Sequence, residues 1–211
     1  INGISGDMII ATLLDLGVSK DIFLEEIKKL NLSDEFTINI ESKNENGIMG
    51  TKVDVIIKET NSNRHLSDIF EIINKSSLNE NIKNNAKKVF STIAKAEAKI
   101  HGTSIDKVHF HEVGAIDSIV DVVGVCILLD LLNIDKIYAN SVPLGSGFIK
   151  CEHGIIPVPA PATIEILKDV PIKLNTAKGE CTTPTGAAII KTLCDEFVDE
   201  LEFEIKQIGY G

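Results

Sequence analysis

The sequence predicts an α+β fold, a mixed α/β arrangement in which one mixed sheet packs with about seven helices. Three observations lead there. Segments with apolar residues at helical spacing alternate with short runs rich in Val and Ile, so helices and strands interleave along the chain. The 211 residues, 44% hydrophobic and 25% charged, can bury a sizeable core in one large domain or two small ones. One segment, running through Val122, Val125, Ile127 and Leu131, has almost no charged side before Asp130, as a helix buried in that core requires.

The elements follow in order. Gly3-Ile-Ser-Gly-Asp-Met8 is a glycine-bracketed turn leading into Ile9, Ile10, Leu13, Leu14 and Leu16, a helix that Ser5 can cap and Gly17 ends. Ser19 introduces a second helix, with Ile22, Phe23, Ile27 and Leu30 as its buried stripe. Residues 36–41 alternate apolar with polar and residues 52–58 are rich in Val and Ile. A hairpin or neighbouring strand pair therefore spans Gly47 to Gly50, making 36–60 a β-rich excursion. After a polar loop, Arg64-His-Leu-Ser-Asp68 precedes the stripe Ile69, Ile72 and Ile73. Residues 79–100 read as one long helix.

Beyond the buried helix, residues 136–142 are expected to form a strand. Pro157-Val-Pro-Ala-Pro161 fixes an extended approach to a helix over 162–167. Thr183 is placed to cap a helix beginning at Pro184, and residues 203–208 read as a last strand. No internal repeat or heptad pattern is present.

Chemistry-bearing residues concentrate between His109 and Asp121, in His-Phe-His-Glu-Val-Gly-Ala-Ile-Asp-Ser-Ile-Val-Asp. If 108–113 is extended, His109 and His111 share one face while Phe110 and Glu112 share the other. If the chain after Gly114 is helical, Asp117 and Asp121 are four apart and stack on one side of its first turns. Ionised carboxylates at the mouth of a buried helix need a partner or a metal, although pairing with a lysine or capping the helix is an alternative. Asp7, beside a helix start, can hold a metal or orient a hydroxyl, or simply complement the helix dipole. His153 lies in a polar glycine turn. Arg64, the only arginine, suits phosphate or carboxylate through its planar fork, or serves as a surface residue. Thr182, Thr183 and Thr185 put three hydroxyls at a helix start, where a phosphate site or a plain N-cap is available. Gly145 and Gly147 form a Gly-x-Gly without the third glycine and following helix of a dinucleotide fingerprint.

The net charge of -10 argues against nucleic acid or an anionic membrane as the main partner. Without an apolar run near 18 residues or a signal-like start, a cytoplasmic protein is expected. The cysteines at 126, 151, 181 and 194 show no Cys-x-x-Cys pairing, which excludes a zinc ribbon. Cys126 and Cys194 sit in apolar helical patterns as buried thiols; Cys151 and Cys181 are the available soft ligands. The chain opens on Ile1 and stops at Ile208-Gly-Tyr-Gly without an evident final element, so both ends are expected to be cut.

Four ordered stretches carry a resemblance: Gly-Ile-Ser-Gly-Asp-Met at 3–8, the 109–121 motif, His-Gly-Ile-Ile-Pro-Val-Pro-Ala-Pro-Ala-Thr at 153–163 and Thr-Thr-Pro-Thr-Gly-Ala-Ala at 182–188. Together they resemble the LarC family, the nickel-insertion proteins of lactate racemase maturation, with residues 1–211 as its N-terminal domain. The resemblance implies a nickel chelatase, or cyclometallase, of the lyase class. It would act on pyridinium-3,5-bisthiocarboxylic acid mononucleotide to complete the nickel-pincer nucleotide cofactor, using CTP with Mn or Mg. Those nucleotide-handling parts belong mainly to a C-terminal half, an expected partner, and a homo-oligomer is left open. The resemblance assigns nickel to no particular residue of this half; the clustering of side chains makes Asp7 and Glu112 the expected catalytic carboxylates, and His109, His111, Asp117, Asp121 and His153 the expected metal ligands. Ser5, Gly6, Arg64, Gly145, Gly147, Thr182, Thr183 and Thr185 would bind substrate phosphate. The alternatives are a non-catalytic nickel-binding or substrate-docking module and a metal-dependent phosphate-ester hydrolase.

Overall fold

The apolar helix in the middle of the chain is the axis of the computed structural model, which describes residues 3–58, 64–108, 110, 116–151 and 154–211. In chain order the helices are α1 (Gly6–Asp15), α2 (Lys20–Lys28), α3 (Leu66–Lys75), α4 (Glu80–Ile100), α5 (Ile116–Leu131), α6 (Pro161–Ile166) and α7 (Pro184–Leu193). Helix α5 buries Ile119, Val120, Val122, Val123, Ile127 and Leu128, because α1, α2, α4 and α7 all pack on it. That is why its sequence lacks a polar stripe. Gly124 permits a close approach of α1 and α2: a β-carbon there would lie 2.9 Å from Ile10 Cδ1 and 3.3 Å from Phe23 Cζ. Helices α3 and α6 lie against α4 on its outer side.

The strands depart from the one mixed sheet expected. Among the described residues they form four two-stranded pairs. Strands β1 (Phe36–Glu45) and β2 (Ile48–Ile57) are the only long pair among these, antiparallel from Phe36↔Ile57 to Glu45↔Ile48. Their turn is Asn46-Gly47, both with positive φ (54° and 89°), the pair a tight two-residue hairpin turn requires. Gly50 therefore sits inside β2, not in the turn. Phe36 and Val53 point into the core and the hairpin packs on α1.

The expected 136–142 strand divides into β3 (Tyr138–Ala139) and β4 (Val142–Pro143). Pairs β5 (Gly147–Cys151) with β6 (Gly154–Val158) are antiparallel; β7 (Ile172–Lys173) and β8 (Glu196–Phe197) pair in parallel with β4 and β3 respectively. The strand expected over 203–208 forms no ladder among the described residues, and Phe203 and Ile205 are exposed. Alternation supplied the β pattern there, but no neighbouring strand takes it up.

Caps set several helix starts. Asn79 accepts from Ile82 N at 2.9 Å to open α4, and Thr183 Oγ1 accepts from Gly186 N at 3.1 Å to open α7. At α3 the Asp68 carboxylate accepts the His65 N–H at 2.8 Å. Among the described residues no helix is long and apolar enough to cross a membrane.

Candidate functional site

The first residues of the chain and its threonine-rich segment are joined by backbone bonds. Ile4 bridges Thr182 in parallel: Ile4 N donates to Cys181 O at 2.7 Å, and Thr183 N donates to Ile4 O at 3.1 Å. Thr182 Oγ1 donates to Pro143 O at 2.7 Å, bringing in the loop that precedes Gly145. A β-carbon on Gly186 would overlap Ile4 O and lie 2.6 Å from Ile4 C, so α7 can begin there only with glycine. On the other side, a β-carbon on Gly6 would overlap Asp121 and lie 2.5 Å from its Cγ. The starts of α1 and α7 and the second turn of α5 thus meet at one corner.

The corner carries Asp7, Asp117 and Asp121. Ser5 Oγ donates to an Asp7 oxygen and so is not used as a side-chain cap on α1. Asp121 is partly exposed as a residue, but its Oδ1 is shielded from solvent without a hydrogen-bond partner among the described residues. Burial, followed by the charges of Asp7 and Asp117, pushes its carboxyl up to about 8. Burial also raises Asp117, opposed by the Ser118 N–H at 2.7 Å and reinforced by Asp7. None of the three forms an ion pair with a lysine, arginine or histidine among the described residues. Burial, more than the neighbouring charges, keeps the proton on Asp121.

The other predicted residues fall as follows. His109, His111, Glu112 and His153 lie outside the described residues, as does the Cys151 side chain. Among the described residues no three His, Cys, Asp or Glu side chains are arranged to share a metal ion. Arg64 is buried and paired with Glu35 at 2.5 Å. Gly145 packs against the Gly179 backbone, whose carbonyl carbon a β-carbon would meet at 3.0 Å, while Gly147 takes φ 108° at the start of β5. Thr182 and Thr185 are buried, and Thr183 spends its oxygen on the α7 cap. Cys126 is buried and its thiol pushed up to about 12 by that burial. Cys181, expected in a loop, is also buried, accepting from Thr176 Oγ1 at 3.5 Å.

Sequence reasoning passed over a groove beside this corner. It has a volume of about 690 Å³ and lies between α1, the tip of the β1–β2 hairpin and residues 209–211. Lys43, Lys52, Met49 and Tyr210 line it. The signal that could have found it is the tyrosine set between two glycines at 209–211.

Fold and corner define a helix-dominated α+β domain in which Asp7, Asp117 and Asp121 gather where α1 meets α5. A family model described as nickel insertion protein matches residues 1–211, and the chain belongs to that family. It is similar to three proteins named pyridinium-3,5-bisthiocarboxylic acid mononucleotide nickel insertion protein. That of Clostridium kluyveri is 51% identical, covering 99% of this chain and 55% of its own length. That of Clostridium acetobutylicum is 46% identical, with coverage of 99% and 58%. That of Acetivibrio thermocellus is 49% identical, with coverage of 99% and 54%. The chain spans about half the length of the curated relatives it matches. No solved structure gives a significant match.

Proposed function

We propose that this chain is the N-terminal part of a protein that inserts nickel into pyridinium-3,5-bisthiocarboxylic acid mononucleotide, completing the nickel-pincer nucleotide cofactor of lactate racemase. The observation that carries this reading is the assembly of segments 3–8, 117–121 and 182–188 into one corner with a shielded, proton-holding Asp121. Relatives named for this insertion, at 46–51% identity over nearly the whole chain, supply the reaction. Insertion replaces the ligands of the incoming nickel by sulfur and carbon of the substrate, and the pyridinium carbon loses its proton.

The roles divide accordingly. Asp7 and Glu112 accept the proton. His109, His111 and His153, with Asp117 and Asp121, hold nickel through few, exchangeable bonds. Ser5 and Gly6, at the corner, lie beside the mononucleotide, whereas Arg64 is engaged with Glu35, Thr182 with Pro143 and Thr183 with the α7 cap, and their role is to hold the framework together. CTP with Mn or Mg is handled mainly by a C-terminal part of the same protein. The test is mass spectrometry of the nucleotide after incubation with nickel, CTP and Mn, using the full-length protein and its His109→Ala/His111→Ala variant. Loss of the nickel adduct in the variant is expected. Insertion at the wild-type rate by that variant would remove these histidines from the mechanism.

A second reading is a docking module that binds substrate without converting it, for which the groove beside the corner offers a place. Calorimetric nickel binding to this chain separates the two. Stoichiometric binding lost with His109 and His111 supports insertion, whereas nucleotide binding without nickel binding supports docking.

A further inference from the structure

We propose that the groove between α1, the β1–β2 hairpin tip and residues 209–211 binds a pyridinium mononucleotide, with Tyr210 against the heteroaromatic ring and Lys43 and Lys52 on the phosphate. The identity of the ligand rests on the nickel-insertion reading; the location rests on the groove.

Its volume of about 690 Å³ lies within the roughly 300–1,000 Å³ typical of small-molecule sites. The walls combine Met8, Met49 and Tyr210 with the two lysines, an apolar surface carrying a few charged groups. Tyr210, whose Cβ lies 3.2 Å from where a β-carbon on Gly50 would sit, is on the same hairpin face as Lys43 and Lys52 and is half exposed (51%), so a flat ring would cover apolar surface now facing water.

Tyr210 is fixed although no regular element holds it. Its N–H donates to Asp15 Oδ2 at 2.9 Å, and its carbonyl accepts from Thr51 N at 2.9 Å. Asp15 Oδ1 accepts from Thr51 Oγ1 at 2.8 Å, closing the link between α1 and β2. Gly209 and Gly211 lie directly on the α1 backbone. A β-carbon on either would overlap a carbonyl oxygen there, of Thr12 and Met8 respectively. These anchors are all backbone or glycine contacts and would hold any residue at 210. The tyrosine side chain is not needed for them, and Tyr210 lines the groove.

The lysines are available. Lys43 pairs with Glu45 at 2.7 Å and Lys52 with Asp54 at 2.6 Å, in exposed pairs of small net value that a phosphate dianion can displace. Glu45 also lines the groove and would turn outward on that exchange. The ammonium of Lys52 is held up chiefly by Asp54, with smaller help from Glu41 and Asp7. Asp7 is thus within electrostatic reach, and Gly3 and Met8, which flank Ser5 and Asp7, line the groove. A ring held by Tyr210 would lie beside the carboxylate corner. CTP shares the chemistry of a heteroaromatic ring with phosphate, but two lysines match one phosphate better than three.

The test titrates nicotinic acid mononucleotide, a stable pyridinium mononucleotide with a ring carboxylate, into this chain by calorimetry and by tyrosine fluorescence. The sequence has no Trp and two Tyr, so in a Tyr138→Phe background the emission reports Tyr210 alone. Saturable binding that quenches this emission is expected, about tenfold weaker in Lys43→Ala/Lys52→Ala and in Tyr210→Ala, restored by Tyr210→Phe, and stronger than that of CTP. Circular dichroism of these surface variants checks that they fold. Absent binding, binding that none of the variants weakens, or tighter binding of CTP would overturn the proposal. Nickel insertion by the full-length lysine variant separates the two claims. Unchanged insertion and nucleotide affinity would sink the groove alone, and lysine-dependent nucleotide binding by a wild-type protein that inserts no nickel would sink the functional reading alone.

Discussion

A β-carbon on Gly6 would fall 2.5 Å from Cγ of Asp121, so the first residue of α1 and the second turn of α5 touch with no room for a methyl group. Gly6→Ala must push the two helices apart or drive Asp121 from its place. Overpacking of this kind costs about 1–3 kcal/mol. Denaturant unfolding should show a lower midpoint with an unchanged slope. A midpoint equal to wild type would mean that Asp121 rotates away freely and the contact is not a structural constraint.

The pH dependence of stability should carry the mark of Asp121. Its folded-state carboxyl is raised to about 8, above the ordinary carboxylate value, by burial and then by Asp7 and Asp117. Between roughly pH 4 and 8 the folded chain keeps a proton the unfolded chain has released, so this group's contribution to stability falls as pH rises through that window. Asp121→Asn removes the titration. The metal-free variant should gain on wild type by up to roughly 5 kcal/mol between pH 4 and pH 8, with the difference shrinking towards pH 4. Thermal midpoints across that range decide it; a constant difference would show that Asp121 titrates as an ordinary carboxylate.

Much of this arrangement is legible in the sequence because it depends on local chemistry. Thr183 before Pro184 dictates a cap within a few residues, and two Val- and Ile-bearing runs place a hairpin, although its turn is Asn46-Gly47 and not Gly47 to Gly50. The mismatches concern pairing over long distances. Nothing local to 136–142 shows that its two ends take different partners, β8 and β7, and nothing in 203–208 shows that its alternation meets no neighbouring strand. At the site, Asp117 and Asp121 were readable from their four-residue spacing, but the contact with Gly6 joins residues far apart in the chain. Arg64 illustrates the same limit: its burial against Glu35 depends on where the hairpin lies.

Thr183 tests the cap on α7. Thr183→Ala removes the oxygen that accepts from Gly186 N and should cost about 1 kcal/mol, while Thr183→Ser should retain most of it. Because Thr183 N also bonds to Ile4 O through the backbone, that second link survives both substitutions. Chemical denaturation of the three proteins measures the difference; equal losses for Ala and Ser would point to the methyl group's packing instead of the cap.

Asp15 links the helix, hairpin and tail. Asp15→Ala removes acceptors from Thr51 Oγ1 and Tyr210 N together, and should cost about 1–2 kcal/mol. Hydrogen exchange should speed up at Thr51 and Tyr210, while α4 remains protected. Unchanged exchange at both amides would show that Gly209 and Gly211 hold the tail without the carboxylate.

Ile4 and Thr182 lie far apart in sequence, so the contact that joins the starts of α1 and α7 carries a large loop-closure entropy. Helices α2 to α4 and the hairpin rest on contacts much nearer in sequence. A chain in which Ile4 and Thr182 have not met would carry those elements without the junction that brings Gly6 and Gly186 together.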